Sequence, residues 1–420
     1  MNPDAPGSAT AEVSAPVRRP RRAAAALAVL LAGVCAALHV GKLPPAISAL
    51  QASLGLSLVQ AGFLLSMVQL AGMSAGVAFG ALSDGLGPRR SMLFGLGILA
   101  FVGALGAAAD GAPVLLALRA AEGFGFLLVV LAAPGMLRSL VAPERVNVVL
   151  GLWGAYMPLG TALALLAGPW VIAIAGWRAW WLGLALLSAA MALWLRAAVE
   201  AGVGRGPARG SAQPWRTRLA STLSARGPWL AAMAFAAYSG QWLAVIGFLP
   251  TIYGEAGVSA GRVGALTALV AAMNIAGNVA AGRLLQRGAR PARLLTTGYV
   301  VMALAATLAF ADVAAIGASD SGALVRYLAV LAFSAVGGLV PATLFTLAIR
   351  VAPTEGSIST TIGWMQQWSA FGQFCGPPIV AWVAVRAGGW QLTWAATGAM
   401  ALAGLALTLA LARLQMSRIS

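Results

Sequence analysis

The chain has 420 residues, 60% of them hydrophobic and 9% charged, with 51 glycines besides; no water-soluble globular domain has such a composition. Its formal net charge of +16 would suit nucleic acid, but the basic residues punctuate apolar runs instead of forming one patch, so they are read as topology and a nucleic-acid partner is excluded. One histidine, His39, excludes a His-rich metal centre, and Cys35 and Cys375 read as small apolar residues within spans; no cofactor is expected.

Residues 1–22 read as a disordered cytoplasmic tail, small, polar and Pro-rich until the basic run RRPRR. A membrane span needs roughly 20 mostly apolar residues. Twelve such runs are predicted, at 23–43, 58–81, 91–109, 113–137, 147–171, 178–197, 228–252, 262–282, 292–312, 323–349, 357–384 and 391–412. The first is too long for the apolar region of a signal peptide, and Val34 before Cys35 does not suit a lipoprotein cleavage site, so it reads as an uncleaved span. Residues 198–227 form the longest polar connection, and GVGRGPARG within it reads as a flexible linker: no strand precedes it and no GK[ST] follows. The predicted domains are therefore two six-helix bundles, 23–197 and 228–412, joined by that cytoplasmic linker, with a tail at 413–420.

Of the 27 Lys and Arg residues, only Lys42, Arg178, Arg262 and Arg386 fall in connections on one side, while Arg119 and Arg326 lie inside spans. All the others fall on the opposite side, which puts both termini in the cytoplasm.

The two halves echo each other. Gly41-Lys-Leu43-Pro44 matches Gly247-Phe-Leu249-Pro250, Gly80-Ala-Leu82 matches Gly282-Arg-Leu284, and Ala142-Pro143-Glu144 matches Ala352-Pro353-Thr-Glu355. Gly168-Pro169 in span 5 matches Gly376-Pro377 in span 11, and Gly176-Trp177 matches Gly389-Trp390. Parallel halves of this kind are a transporter architecture with a site near the midplane.

Between spans 2 and 3 the chain reads GALSDGLGPRR, and span 4 carries Arg119-Ala-Ala-Glu122-Gly123-Phe-Gly125. The first resembles the loop signature of the major facilitator superfamily, carried here by Gly80, Leu82, Asp84, Gly87, Arg89 and Arg90, with Gly85 where a basic residue is usual; the second resembles that family's R-x-x-[QE]-G-x-G. More narrowly, VLGLWGAYMPLG and WLAVIGFLPTIYGEAGVSA resemble the cyanate and nitroimidazole transporter group. The resemblance implies an all-α membrane protein of twelve transmembrane helices in the major facilitator fold, working as a monomer in a bacterial-type inner membrane and not as an enzyme.

Gly80, Asp84, Gly87, Arg89 and Arg90 are then expected to form a conformational latch: glycines allow the tight turn, and Asp84 pairs with a helix end or an arginine in one arrangement of the halves only. Gln286 stands where the second half would have the acid, so the latch should be asymmetric. Polar residues inside spans are costly and therefore candidates for substrate binding. These are Tyr156 in span 5, Tyr238, Gln241 and Trp242 in span 7, Asn274 in span 8, and Trp364 and Gln367 in span 11, where aromatic walls and amides suit a small planar solute. Arg119 and Arg326 occupy matching places in spans 4 and 10 and are expected to face each other across an anion, the bland alternative being snorkelling or helix pairing. Glu122, three residues after Arg119, is the candidate proton-coupling group, against a permanent structural ion pair.

The function expected is secondary active transport of a small anion or small polar aromatic solute, coupled to protons. A drug or metabolite exporter of the same fold and a transport-inactive sensor or scaffold are the alternatives.

Overall fold

A computed structural model describes residues 18–74, 87–203, 214–312 and 320–416. Every regular element among them is helical. Span 1 is Arg18–Gly41, span 2 begins as Leu58–Met67, span 3 is Pro88–Ala107 and span 4 is Ala112–Leu140. Spans 5 and 6 are Val146–Trp153 followed by Tyr156–Ala198, a 43-residue stretch whose helical path breaks only at Gly176, where φ is 81°. Span 7 is Arg226–Glu255, span 8 Ala260–Gln286, span 9 Pro291–Phe310, span 10 Asp320–Gly337 plus Leu339–Val351, span 11 Ile358–Ala387 and span 12 Thr393–Met416. Among the described residues nine helical stretches are long and apolar enough to cross a membrane. One of them, Pro143–Ala198, holds two predicted spans; Ile358–Ala387 has the length but carries Gln366, Gln367 and Gln373.

Local chemistry sets several of these boundaries. Ser57 and Gln60 form a reciprocal capping box at the start of span 2, satisfying two backbone N–H groups that a bare helix end would leave open. Pro88 and Pro291 open spans 3 and 9, where a missing N–H costs nothing. The polar connection at 198–227 is not all linker, because Trp215–Ser224 forms a helix of its own; residues 204–213 lie outside those described.

The repeat read from the sequence has a packing counterpart. In the second half, spans 7 and 11 meet backbone to backbone. A methyl added at Gly240 would lie 2.6 Å from the Gly372 carbonyl oxygen, and methyls at Gly372 and Gly376 would lie 2.8 Å from the Cα atoms of Ala236 and Gly240. In the first half, spans 1 and 5 do the same, with Gly41 against Thr161 and Gly160 against Val34 and Ala37. Small residues four apart on both partners are what lets helices approach this closely in lipid, where burial of apolar surface supplies little drive.

Between the halves, span 2 lies on span 11 and span 5 on span 8. Gly62 faces Pro377, Pro378 and Ala381, Gly72 faces Ala370, and Gly264 faces Leu165, Leu166 and Pro169.

Candidate functional site

Two polar features inside the helical bundle stand out among the described residues. The first is a charge cluster in the first half, at the junction of spans 1, 2, 4 and 6. Span 1 ends at Gly41, so Lys42 follows its last turn and His39 sits within it. Lys42 is 0% exposed, as are His39 and Arg119, and Glu122 is 1% exposed. Its ammonium donates to Glu122 Oε1 in a close ion pair and lies 4.7 Å from the centre of the Trp181 ring, while its carbonyl accepts a 3.0 Å hydrogen bond from Trp180 Nε1. Lys42, expected as a loop charge at the membrane surface, is instead an interior one. The correction has a physical cause: Pro44 and Pro45 end the helix, but the chain continues inside the bundle as Pro44–Ala46 and Ile47–Leu54.

Arg119 Nη1 donates to Glu122 Oε2 at 2.6 Å and to the His39 carbonyl at 2.7 Å, and its Nε donates to the Leu64 carbonyl at 3.2 Å. Its Nη2 is buried without a protein partner. His39 Nδ1 lies 3.5 Å from Lys42 Nζ, and Nε2 lies 2.8 Å from Ser188 Oγ. Nδ1 is equally 3.5 Å from Glu122 Oε1, so the neutral imidazole either accepts there from the ammonium and donates from Nε2 to Ser188, or donates there to the carboxylate and accepts from Ser188. Two cations therefore share one carboxylate, which leaves one positive charge in excess while His39 is neutral.

The second feature is a cavity of about 60 Å³ between the halves, enough for a few waters. Span 2 contributes Gln69, span 4 Phe126 and Leu127, span 5 Tyr156, and span 11 Gln366, Gln367 and Gln373. Gln69 Nε2 donates to Gln373 Oε1 at 3.0 Å and Gln367 Nε2 to the Met73 carbonyl at 2.9 Å, so side-chain amides hydrogen-bond across the halves here. Tyr156 is held flat by stacking on Trp153, ring centres 4.5 Å apart. Cluster and cavity share span 4: Phe126 follows Glu122 by one turn.

Of the residues expected to bind substrate, Tyr156 and Gln367 line this cavity. Tyr238, Trp242 and Asn274 are tied into a buried network in the second half: Asn274 Nδ2 donates to Tyr238 Oη at 2.8 Å and to the Ser334 carbonyl at 3.0 Å, and Trp242 Nε1 donates to Ser334 Oγ at 3.2 Å. Gln241 donates to the Ala237 carbonyl on its own helix, and its buried Oε1 has no partner. Trp364 packs edge-on against Trp229 and Trp368. Nor does the structure give Arg119 and Arg326 a common partner across an anion. Arg119 bonds only within the first half, and half-buried Arg326 donates to the Ala309 carbonyl at the end of span 9. Lys42, His39, Gln69 and Gln373 were not among the expected site residues. The available signal was Lys42 itself, a charge next to an apolar run with an acid in another span to pair with.

Of the latch residues, Gly80 and Asp84 lie outside the described residues. Gly87 takes φ 83° before Pro88, a conformation that favours glycine. Arg89 donates to the carbonyls of Val199 at 2.7 Å and Arg196 at 2.9 Å, closing the end of span 6, and Arg90 is exposed.

The model of the Major Facilitator Superfamily matches residues 29–372. The chain belongs to the major facilitator superfamily. Solved structures of similar fold include a bacterial homologue of the human lysosomal transporter Spinster, inward-facing and unoccupied, at 15% identity and TM-score 0.72, covering 94% of this chain and 98% of that one. The nucleoside transporter NupG, crystallised as a point mutant, gives 14% identity and TM-score 0.74 over 92% of this chain and 99% of its own. A D-xylose-proton symporter gives 17% and 0.71 over 92% and 96%. No curated protein matches this sequence. This superfamily chain is thus a multi-pass membrane protein whose family and structural neighbours are transporters, not enzymes.

Proposed function

We propose that the protein is a proton-coupled secondary transporter of a small solute, working by alternating access in a bacterial-type inner membrane with both termini cytoplasmic. On residues 149–160 and 242–260 we assign it to the cyanate and nitroimidazole transporter group. The observation that carries the coupling is the buried cluster with two cations on one carboxylate. Arginine does not lose its proton inside a protein, so the proton that can leave without stranding a charge is that of Lys42, with His39 beside it and Glu122 as the shared counter-ion. This moves the coupling role expected of Glu122 onto Glu122 and Lys42 together. Span 4 links the cluster to the cavity one turn away, so a change in the cluster is felt where the halves meet.

The test uses proteoliposomes, with labelled nitroimidazole as the probe. Lys42→Met fixes the site as neutral and Lys42→Arg fixes it as charged. Both should keep solute exchange while losing accumulation driven by a pH gradient. Accumulation at the wild-type level in either variant would end the coupling role. Orientation is checked separately, on a background with Cys35 and Cys375 replaced by alanine. Single cysteines at Ser211 and Ser420 should label only from the cytoplasmic side and one at Ser321 only from outside, and the reverse pattern would invert the topology.

A further inference from the structure

We infer that the cavity between the halves selects a neutral, planar solute carrying an adjacent hydrogen-bond donor and acceptor, such as a carboxamide or an amide-like heteroaromatic ring, and rejects anions and cations. The inference rests on the transporter reading and names its substrate class.

Three observations carry it. First, no ionisable side chain except the phenol of Tyr156 lines the cavity among the described residues; its polar groups otherwise are Gln69, Gln366, Gln367, Gln373 and Ser369. A carboxamide offers two N–H donors and a two-lone-pair acceptor, so a group of amides can satisfy a solute that both donates and accepts but cannot neutralise a charge. An ion taken from water into this space would lose its hydration without gaining a counter-charge, a cost of several kcal/mol in general.

Second, the cations that would have served an anion are committed elsewhere. Arg119 and Lys42 are sealed around Glu122, and Arg326 is not among the cavity-lining residues, donating instead to the Ala309 carbonyl.

Third, the walls are flat and the amides are already bonded as a solute would bond them. Phe126 and the stacked Tyr156 form apolar faces, while Gln69 donates to Gln373 across the gap between the halves. Gln366 makes no hydrogen bond to the protein among the described residues. A planar amide can replace the Gln69 to Gln373 bond with one bond to each side chain. Binding and separation of the halves at this point would then be one exchange of hydrogen bonds, with little net loss.

The experiment measures equilibrium binding to the purified full chain in nanodiscs by calorimetry. The probes share one ring: nicotinamide, nicotinate and the N-methylated nicotinamide cation, with D-xylose as a neutral solute that is not planar. Nicotinamide should bind saturably, and the other three at least about a hundred-fold more weakly. Gln373→Leu and Gln69→Met should each weaken nicotinamide by about ten-fold, while thermal unfolding reports whether the variants are folded. Gln366→Arg brings a cation into the cavity and should reverse the order, favouring nicotinate. Equal or tighter binding of either ion by the wild type overturns the proposal, as does xylose binding as well as nicotinamide, or no saturable binding of nicotinamide. None of these results bears on transport itself. Selective nicotinamide binding with no flux in proteoliposomes would leave the solute class intact and sink the transporter reading alone.

Discussion

Glu122→Gln, taken alone, is expected to destabilise the protein by about 3–5 kcal/mol, the usual consequence of removing one partner of a buried ion pair and leaving the other bare. The substitution is nearly isosteric, so the loss is electrostatic. Lys42 and Arg119, both 0% exposed, would share no carboxylate. Lys42→Met behaves differently, since it leaves Arg119 and Glu122 as a balanced pair, and should cost far less. Combining the two removes one of the stranded cations and should recover part of the loss, so the double variant unfolds later than Glu122→Gln. Thermal unfolding of the four proteins in one detergent gives the cycle. If Glu122→Gln unfolded with the wild type, or if the double variant were the least stable, the carboxylate would not be the counter-ion described here. Gln at position 122 is therefore a poor probe of coupling, and Lys42 the cleaner one.

Gly372→Val should yield no folded monomer. The Cβ of residue 372 would meet the backbone of Ala236, with the carbonyl carbon 2.7 Å and Cα 2.8 Å away, and backbone cannot turn aside as the end of a side chain can. Gly372→Ala forces the same separation of spans 7 and 11 with fewer atoms and should cost about 1–3 kcal/mol as overpacking. Gly398→Ala, in span 12, is the control, because a methyl there meets nothing within 4 Å, and it should be neutral or slightly stabilising. Size-exclusion chromatography and unfolding midpoints decide. A monodisperse Gly372→Val protein with the wild-type midpoint would mean that the two helices are not in backbone contact.

The fold was legible because hydropathy in lipid is a long, repeated signal. Twelve runs and the internal matches at Gly168-Pro169 and Gly376-Pro377 needed no contact information. Within the site, Arg119 and Glu122 could be paired on paper because residues three apart share a helix face. Lys42 could not be placed, since its partner is 80 positions away and Gly-Lys-Leu-Pro-Pro looks like the end of a span. Tyr238 and Trp242, four residues apart, share a face of span 7, but spacing along a helix does not say which neighbour the face meets; it meets Asn274 and Ser334. The bond between Gln69 and Gln373 joins the two repeats, and nothing local to either residue announces it.

The joint at Gly176 is a single residue, so spans 5 and 6 have no slack between them. Span 6 turns Leu186 and Leu193 outward, 70% and 67% exposed, while span 5 touches the opposite half where Leu165 and Pro169 meet Gly264. Bilayer thickness acts on the first of these surfaces, at fractions of a kcal/mol per ångström of mismatch. With only one residue between them, a tilt imposed on span 6 is delivered to the seam at span 5. The host membrane thereby becomes a mechanical input to how the halves meet, and acyl-chain length in a reconstituted bilayer should alter how readily they part.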